Sequence, residues 1–159
     1  MNIRVGFGYD IHRFQEGREL WMGGVKLDYP LGLQGHSDAD VLIHAICDAL
    51  LGAANLRDIG VHFPDTSIEF ENVDSKVLLR KCVVMLQERG YRVGNIDATV
   101  CTEHPKLNPY IPAMQQKLAE VMEVDSEAVS IKATTSEKMG FIGREEGIAA
   151  YAVALIERI

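Results

Sequence analysis

Apolar and polar residues alternate without a break from Ile3 to His12, with Ile3, Val5, Phe7, Tyr9 and Ile11 set against Arg4, Gly6, Gly8, Asp10 and His12. A period of two predicts a strand, because successive side chains there point to opposite faces. Asp10 and His12 then share one face and can converge on a single point. That is the geometry of two metal ligands, and equally that of an ordinary solvated strand face. "ELWMGGVKLD" reads as a hairpin folded at Gly23-Gly24. In "GHSDADVLIHAICDALLGAANL", Ser37 with Asp40 resembles a capping box and predicts a helix to about Ala54. Val41, Ile43, Ile46, Leu50 and Leu51 form its apolar side. Segment 58–71 has no helical period, and Pro64 followed by Asp65 and Thr66 predicts an irregular loop. Further helices are predicted over 75–89, stopped by Gly90, and over 110–123, with Pro112 in the first turn. "VGNIDATVCT" and "AVSIKATT" read as strands.

Period alone leaves the last segment, "GIAAYAVALIER", open between helix and strand. As a strand it is apolar on both faces: Ile148, Ala150, Ala152, Ala154 and Ile156 on one, Ala149, Tyr151, Val153 and Leu155 on the other. A sheet covered by helices on one side would then need a second cover, which a neighbouring subunit can supply. Strands alternating with helices predict an α+β fold, an α/β two-layer sandwich, in one domain over residues 1–159.

Composition narrows the function. The net charge of −7 argues against a general nucleic-acid binder, since no basic surplus exists to neutralise phosphates. Three widely spaced cysteines, Cys47, Cys82 and Cys101, point to reduced thiols in the cytoplasm rather than to a disulfide scaffold. No basic-plus-apolar leader is expected at the N-terminus, and the apolar run 148–156 is too short to span a bilayer.

Three clusters carry the chemistry. On the first predicted helix, Asp40, His44 and Asp48 are spaced i, i+4, i+8 as a polar stripe. His44 is either a hydrogen-bonded structural histidine or a third metal ligand beside Asp10 and His12. Two histidines and one carboxylate with an open fourth position make a catalytic rather than a structural metal set. Either acid, Asp48 before Asp40, can then orient an imidazole from behind. His36 and Ser37 stand before the helix, where free N–H groups receive phosphate, although a plain helix cap also explains Ser37. The third cluster is "ATTSEKMGFIGREEG". Thr134-x-x-Glu137 matches a capping box, but Gly140 and Gly143 leave room for about one turn of helix. Its hydroxyls, carboxylate, Lys138 and Arg144 on a Gly-rich loop suit a phosphate with a divalent cation.

"GYDIH", "HSDADVLIHA", "DIGVHFPDT", "HPKL" and "KATTSEKMGFIGREEGI" stand in the order and spacing of the 2-C-methyl-D-erythritol 2,4-cyclodiphosphate synthase family. The chain resembles that family from residue 3 to its end. The resemblance implies a metal-dependent phosphorus-oxygen lyase of the non-mevalonate isoprenoid route, which closes a cyclic diphosphate and releases CMP. It makes Asp10, His12 and His44 zinc ligands and Glu137 the ligand of a second divalent cation, Mg²⁺ or Mn²⁺. His36 and Thr135 correspond to groups stabilising the transition state, and Ser37 to a phosphate contact. Asp58, Ile59 and Gly60 correspond to the segment holding the methylerythritol hydroxyls, and Phe63, Pro64, Asp65, Thr66 and Ser67 to a closing loop. Thr102, Pro105, Lys106, Leu107 and Asn108 correspond to a cytidine pocket lent by the neighbouring subunit. Thr134, Thr135, Ser136 and Glu137 correspond to the segment around the nucleotide phosphates, and Phe141 and Arg144 to positions near the substrate. The family pattern is a cytoplasmic homotrimer with interfacial sites, a cytidine diphosphate substrate, and neither nucleic-acid nor membrane partners. Two readings compete with it. The same three donors are the facial triad of non-haem Fe(II) enzymes, and they can also belong to a non-catalytic metal-binding trimer.

Overall fold

The structure is a computed structural model that describes residues 2–159. The alternating N-terminal segment forms strand β1, Ile3–Gln15. Leu20–Met22 (β2) and Val25–Leu27 (β3) pair as a hairpin. Its turn is Gly23-Gly24, both at positive φ, a backbone conformation that glycine adopts at no steric cost. Gly32–Leu33 (β4) pairs with the end of β1 and is too short for any periodic signal. Helix α1 spans Val41–Ala53, α3 spans Ser75–Glu88 and α4 spans Ile111–Met122. Between the first two lies a four-residue helix, α2, Ile59–His62, in the segment expected to be wholly irregular. It forms because Asp58 accepts the Val61 N–H and caps a single turn, which is too short for a hydrophobic period.

Tyr91–Cys101 (β5), Val129–Thr134 (β6) and Gly147–Arg158 (β7) complete the sheet, and a one-turn helix, α5, covers Gly140–Gly143. The order is β4-β1-β7-β5-β6, with β5 and β6 parallel and the other neighbours antiparallel. The final segment is therefore a strand, and it lies at the centre of the sheet. Helices α1, α3 and α4 cover one face, and the core of α1 side chains, Ile96, Val100, Ile148 and Ile156 lies between the layers.

α1 sits unusually close to β1 because Gly6 and Gly8 have no side chains to hold it away. A Cβ on Gly8 would stand 1.9 Å from the Ala45 carbonyl oxygen, and one on Gly6 the same distance from that of Ala49. We expect Gly8→Val to destabilise the fold by about 3 kcal/mol or more, since helix backbone must move. Urea denaturation checks this, and an unchanged midpoint would refute the close approach.

The opposite face of the sheet is bare in the single chain. Val5, Phe7, Tyr9 and Ile11 of β1 lie exposed there with Tyr151 and Val153 of β7, and Phe7 keeps 62% of its surface accessible. The rings of Tyr9 and Tyr151 stand 5.1 Å apart. A contiguous aromatic and aliphatic face of this kind is unusual on a chain that stands alone in water.

Candidate metal centre and nucleotide groove

Asp10 and His12 project from the helix-covered face of β1, where His44 meets them from the middle of α1. The Asp10 Oδ2 lies 2.8 Å from His12 Nε2 and 3.0 Å from His44 Nδ1, and the two ring nitrogens are 3.2 Å apart. These three donors are a triangle that could hold one metal ion. Tetrahedral zinc, with bonds of about 2.0–2.1 Å, sets its ligands about 3.3 Å apart, so the triangle is close to the required size. Two imidazoles and a carboxylate suit zinc chemically, and the partial exposure of all three side chains leaves a side for substrate.

Electrostatics favour a charged Asp10. Burial pushes its carboxyl upward, but hydrogen bonds and charge from His12 and His44 outweigh burial and hold it at about 2. For His44 the sense is opposite. Burial works against protonation, yet Asp10 first, and then Asp40 and Asp38, raise its pKa. A negative pocket of this kind attracts a cation.

The polar stripe of α1 is not one site. Asp40, not Ser37, is the helix cap. It is fully buried, accepts the Ile43 N–H at 3.0 Å, and takes the Gly23 and Gly24 N–H groups at 2.9 and 2.7 Å. The capping-box reading of Ser37 with Asp40 is thereby corrected: a buried carboxylate, not the serine hydroxyl, caps the helix start. Burial, then the charge of Asp38, pushes the Asp40 carboxyl up to about 6. Asp48 accepts the Ile59 N–H at 2.9 Å and so anchors α2 rather than an imidazole. Neither acid orients His44. Its Nε2 instead meets Ser75 Oγ at 2.9 Å and Ser37 Oγ at 3.1 Å.

Around this centre the sequence candidates fall into two groups. In the first, His36 Nε2 hydrogen-bonds the Ser67 carbonyl at 2.8 Å, tying the segment before α1 to the loop of Phe63, Pro64, Asp65, Thr66 and Ser67. Phe63 packs edge-on against Phe70, and Ile59 and Gly60 open α2 behind Asp58. The second group lies at the ends of β5 and β6. Thr102, Pro105, Lys106, Leu107, Asn108, Thr134 and Thr135 line a groove of about 330 Å³. Glu137, on the loop beside it, adopts φ 54° and Lys138 φ 61°. Thr134 ends β6 instead of capping a helix, and the turn at Gly140 has Met139 in the cap position, so the Thr134–Glu137 capping box is absent. Phe141 is exposed on that turn, and Arg144 follows it in an ion pair with Glu146.

Asp10, Ala150, Val100 and Ala133 are successive partners across β1, β7, β5 and β6. Metal centre and groove therefore lie on one row of the sheet, with β7 between them. Three strand spacings put β1 and β6 about 14 Å apart.

Sequence reasoning missed Ser75, Asp38, Glu103 and Arg18. Glu103 accepts hydrogen bonds from Ser136 N, Ser136 Oγ and Lys138 N and so braces the left-handed Glu137–Lys138 pair. Arg18 donates to the Gly35 and Ser37 carbonyls and fixes the backbone on either side of His36. Their long-range contacts span 17 to 37 residues of sequence, and no local spacing reports such distances.

Among known proteins, the YgbB family model matches residues 3–157. The chain is 67% identical to the 2-C-methyl-D-erythritol 2,4-cyclodiphosphate synthase of Parabacteroides distasonis over 100% of this chain and 99% of that one. With the synthase of the same name from Bacteroides thetaiotaomicron it shares 65% identity over 99% of both chains. Among solved structures it superposes on IspF of Plasmodium falciparum in complex with CDP, with a TM-score of 0.87 and 32% identity, covering 99% of this chain and 97% of that one. A CDP-bound 2C-methyl-D-erythritol-2,4-cyclodiphosphate synthase gives a TM-score of 0.89 at 34% identity, covering 97% of this chain and 100% of that one. Agreement in sequence and fold along almost the whole chain places it in the YgbB family, alongside the 2-C-methyl-D-erythritol 2,4-cyclodiphosphate synthases.

Proposed function

We propose that residues 1–159 act as one catalytic domain that converts 4-diphosphocytidyl-2-C-methyl-D-erythritol 2-phosphate into 2-C-methyl-D-erythritol 2,4-cyclodiphosphate and CMP. An oxygen of the 2-phosphate attacks the β-phosphorus of the same molecule. The bond from that phosphorus to the oxygen bridging it to the α-phosphate breaks, and CMP departs with the electron pair. The observation that carries this reading is the Asp10–His12–His44 triangle, a three-donor set on the same sheet row as a groove that suits a nucleotide.

The protein supplies placement. Holding both ends of a flexible chain at attacking distance is worth up to roughly 7–11 kcal/mol in well-oriented cases. Asp10, His12 and His44 would hold zinc, and Glu137 a second divalent cation, Mg²⁺ or Mn²⁺. Such ions, when bound, neutralise charge on the transferring phosphoryl group and on the departing CMP. Lys106, Thr102 and Asn108 seat the cytidine end, Thr134, Thr135 and Ser136 its phosphates, and Ser37 and His36 the transferring diphosphate. Asp58 with Ile59 and Gly60 takes the methylerythritol hydroxyls, and Phe63 to Ser67 close over them. No protein nucleophile is needed, because the attacking phosphate is already an anion.

We further propose a homotrimer packed on the exposed face of β1 and β7, in which the groove of one subunit meets the metal centre of the next. The apolar face needs a cover, and β7 separates the half-sites within one chain. Three unpaired cysteines, two of them buried, suit the reducing cytoplasm in which we place the enzyme. Among the described residues no helix is long and apolar enough to cross a membrane.

Incubation with the cytidyl substrate and Mg²⁺, followed by phosphorus NMR, tests the reaction. Cyclic diphosphate and CMP should accumulate together, stop when a chelator removes zinc, and resume when zinc returns. CMP released without the cyclic product, or turnover that requires oxygen and iron, would overturn the assignment.

A further inference from the structure

Behind the metal centre runs a partly buried chain of hydrogen bonds. Ser75 opens α3 and is fully buried. Its Oγ lies 2.9 Å from His44 Nε2 and forms a short hydrogen bond with Asp38 Oδ1. Asp38 also accepts the Ser75 N–H at 2.9 Å and the Asp40 N–H at 3.0 Å, while its own N–H donates to the Val73 carbonyl. Two backbone N–H groups on the Asp38 carboxylate leave it acting only as an acceptor.

That fact sets the direction of every proton in the chain. A carboxylate cannot donate, so the Ser75 hydroxyl hydrogen must point to Asp38. The Ser75 oxygen then has only lone pairs to offer His44, so Nε2 carries the hydrogen. Ser37 Oγ, which accepts the Ala39 N–H at 3.2 Å, has a lone pair to offer the same Nε2–H. With one ring nitrogen protonated, a neutral imidazole presents its lone pair on the other. The Nδ1 atom is the one that faces Asp10 and His12.

We infer that Ser75 and Asp38 are positioning residues that hold His44 in the Nε2–H tautomer and aim its Nδ1 lone pair at the metal. This inference rests on the metal reading of the Asp10–His12–His44 triangle. It also replaces the roles that helical spacing offered to Asp40 and Asp48. α3 thereby acquires a part in metal binding although none of its residues belongs to the triangle.

The experiment measures zinc affinity by chelator competition on the 159-residue chain, with thermal unfolding of the metal-free form alongside. Ser75→Ala keeps the backbone N–H that meets Asp38 and removes only the hydroxyl. It should weaken zinc binding by about 10–100-fold, the range found when partners of a ligating histidine are lost. Ser75→Thr, which keeps the hydroxyl, should restore most of that affinity. A merely structural Ser75 would instead lower the unfolding temperature and leave zinc affinity unchanged. A second measurement needs no variant: nitrogen-15 NMR of the zinc-loaded wild type should show the His44 proton on Nε2, in slow exchange with water. A proton on Nδ1, or Ser75→Ala binding zinc as tightly as wild type, would overturn the inference while leaving the metal site intact. A wild type that binds no zinc would remove the metal reading and this inference with it.

Discussion

Replacing His44 with Ala should drop zinc content from about one ion per chain to near zero and abolish turnover, while the protein remains folded. His44 contributes one of three donors, and the remaining pair, Asp10 and His12, cannot close a three-ligand site. Charge stabilisation by bound metal is worth several kcal/mol in the transition state, so turnover should fall by about three orders of magnitude or more. The structural cost is far smaller. The core side of α1, formed by Leu42, Ile43, Ile46 and Leu50, does not involve His44 and stays packed. What is lost is the space of an imidazole and the acceptor role of Ser75, about 1–2 kcal/mol. Metal analysis, circular dichroism and CMP release read the three consequences separately. A variant that keeps full zinc occupancy would remove His44 from the site. One that unfolds would make His44 a core residue first.

The sequence disclosed β1 and the three long helices because each repeats a pattern over ten or more residues, whereas β4 was too short to show one and β7 stayed open between strand and helix. β1 shows it best, with one face reading Gly6, Gly8, Asp10, His12 and the other fully apolar. The pattern could not say which face meets the helices. In the structure the glycine face does, since α1 needs the room, and the apolar face is left exposed. Asp10 and His12 were legible as a pair because strand geometry fixes their common side. His44 was legible only as one residue of a stripe, and the stripe misassigned its neighbours. A cap such as Asp40 is decided by where the β2–β3 turn places its N–H groups, which lies outside any helical window. Ser75 and Asp38 escape for the same reason: their 37-residue separation closes only when α3 docks beside α1.

The groove and the metal centre belong to different ends of one sheet row, and that placement allows a test of the proposed trimer with its shared site. His12→Ala removes a metal donor, and Lys106→Ala removes the cation of the groove. As homotrimers both variants should be weak, the first through lost metal and the second through poorer seating of the nucleotide. In a cyclic trimer every contact is heterologous, so each chain gives its metal half to one site and its groove to another. A mixed trimer of either stoichiometry then has one interface joining two intact halves, one joining two damaged halves and one with a single defect. Co-expressed, tag-purified hybrids should therefore recover about one-third of wild-type activity, the output of one intact site in three. Mass spectrometry establishes that hybrids have formed, and CMP release per trimer gives the activity. Had each chain held a complete site of its own, every site in the hybrid would carry one of the two defects, and activity would equal the weighted average of the parents. That outcome would confine catalysis to single chains and reduce the exposed face of β1 and β7 to an assembly surface, whereas recovery would show that the two half-sites are completed only where subunits meet.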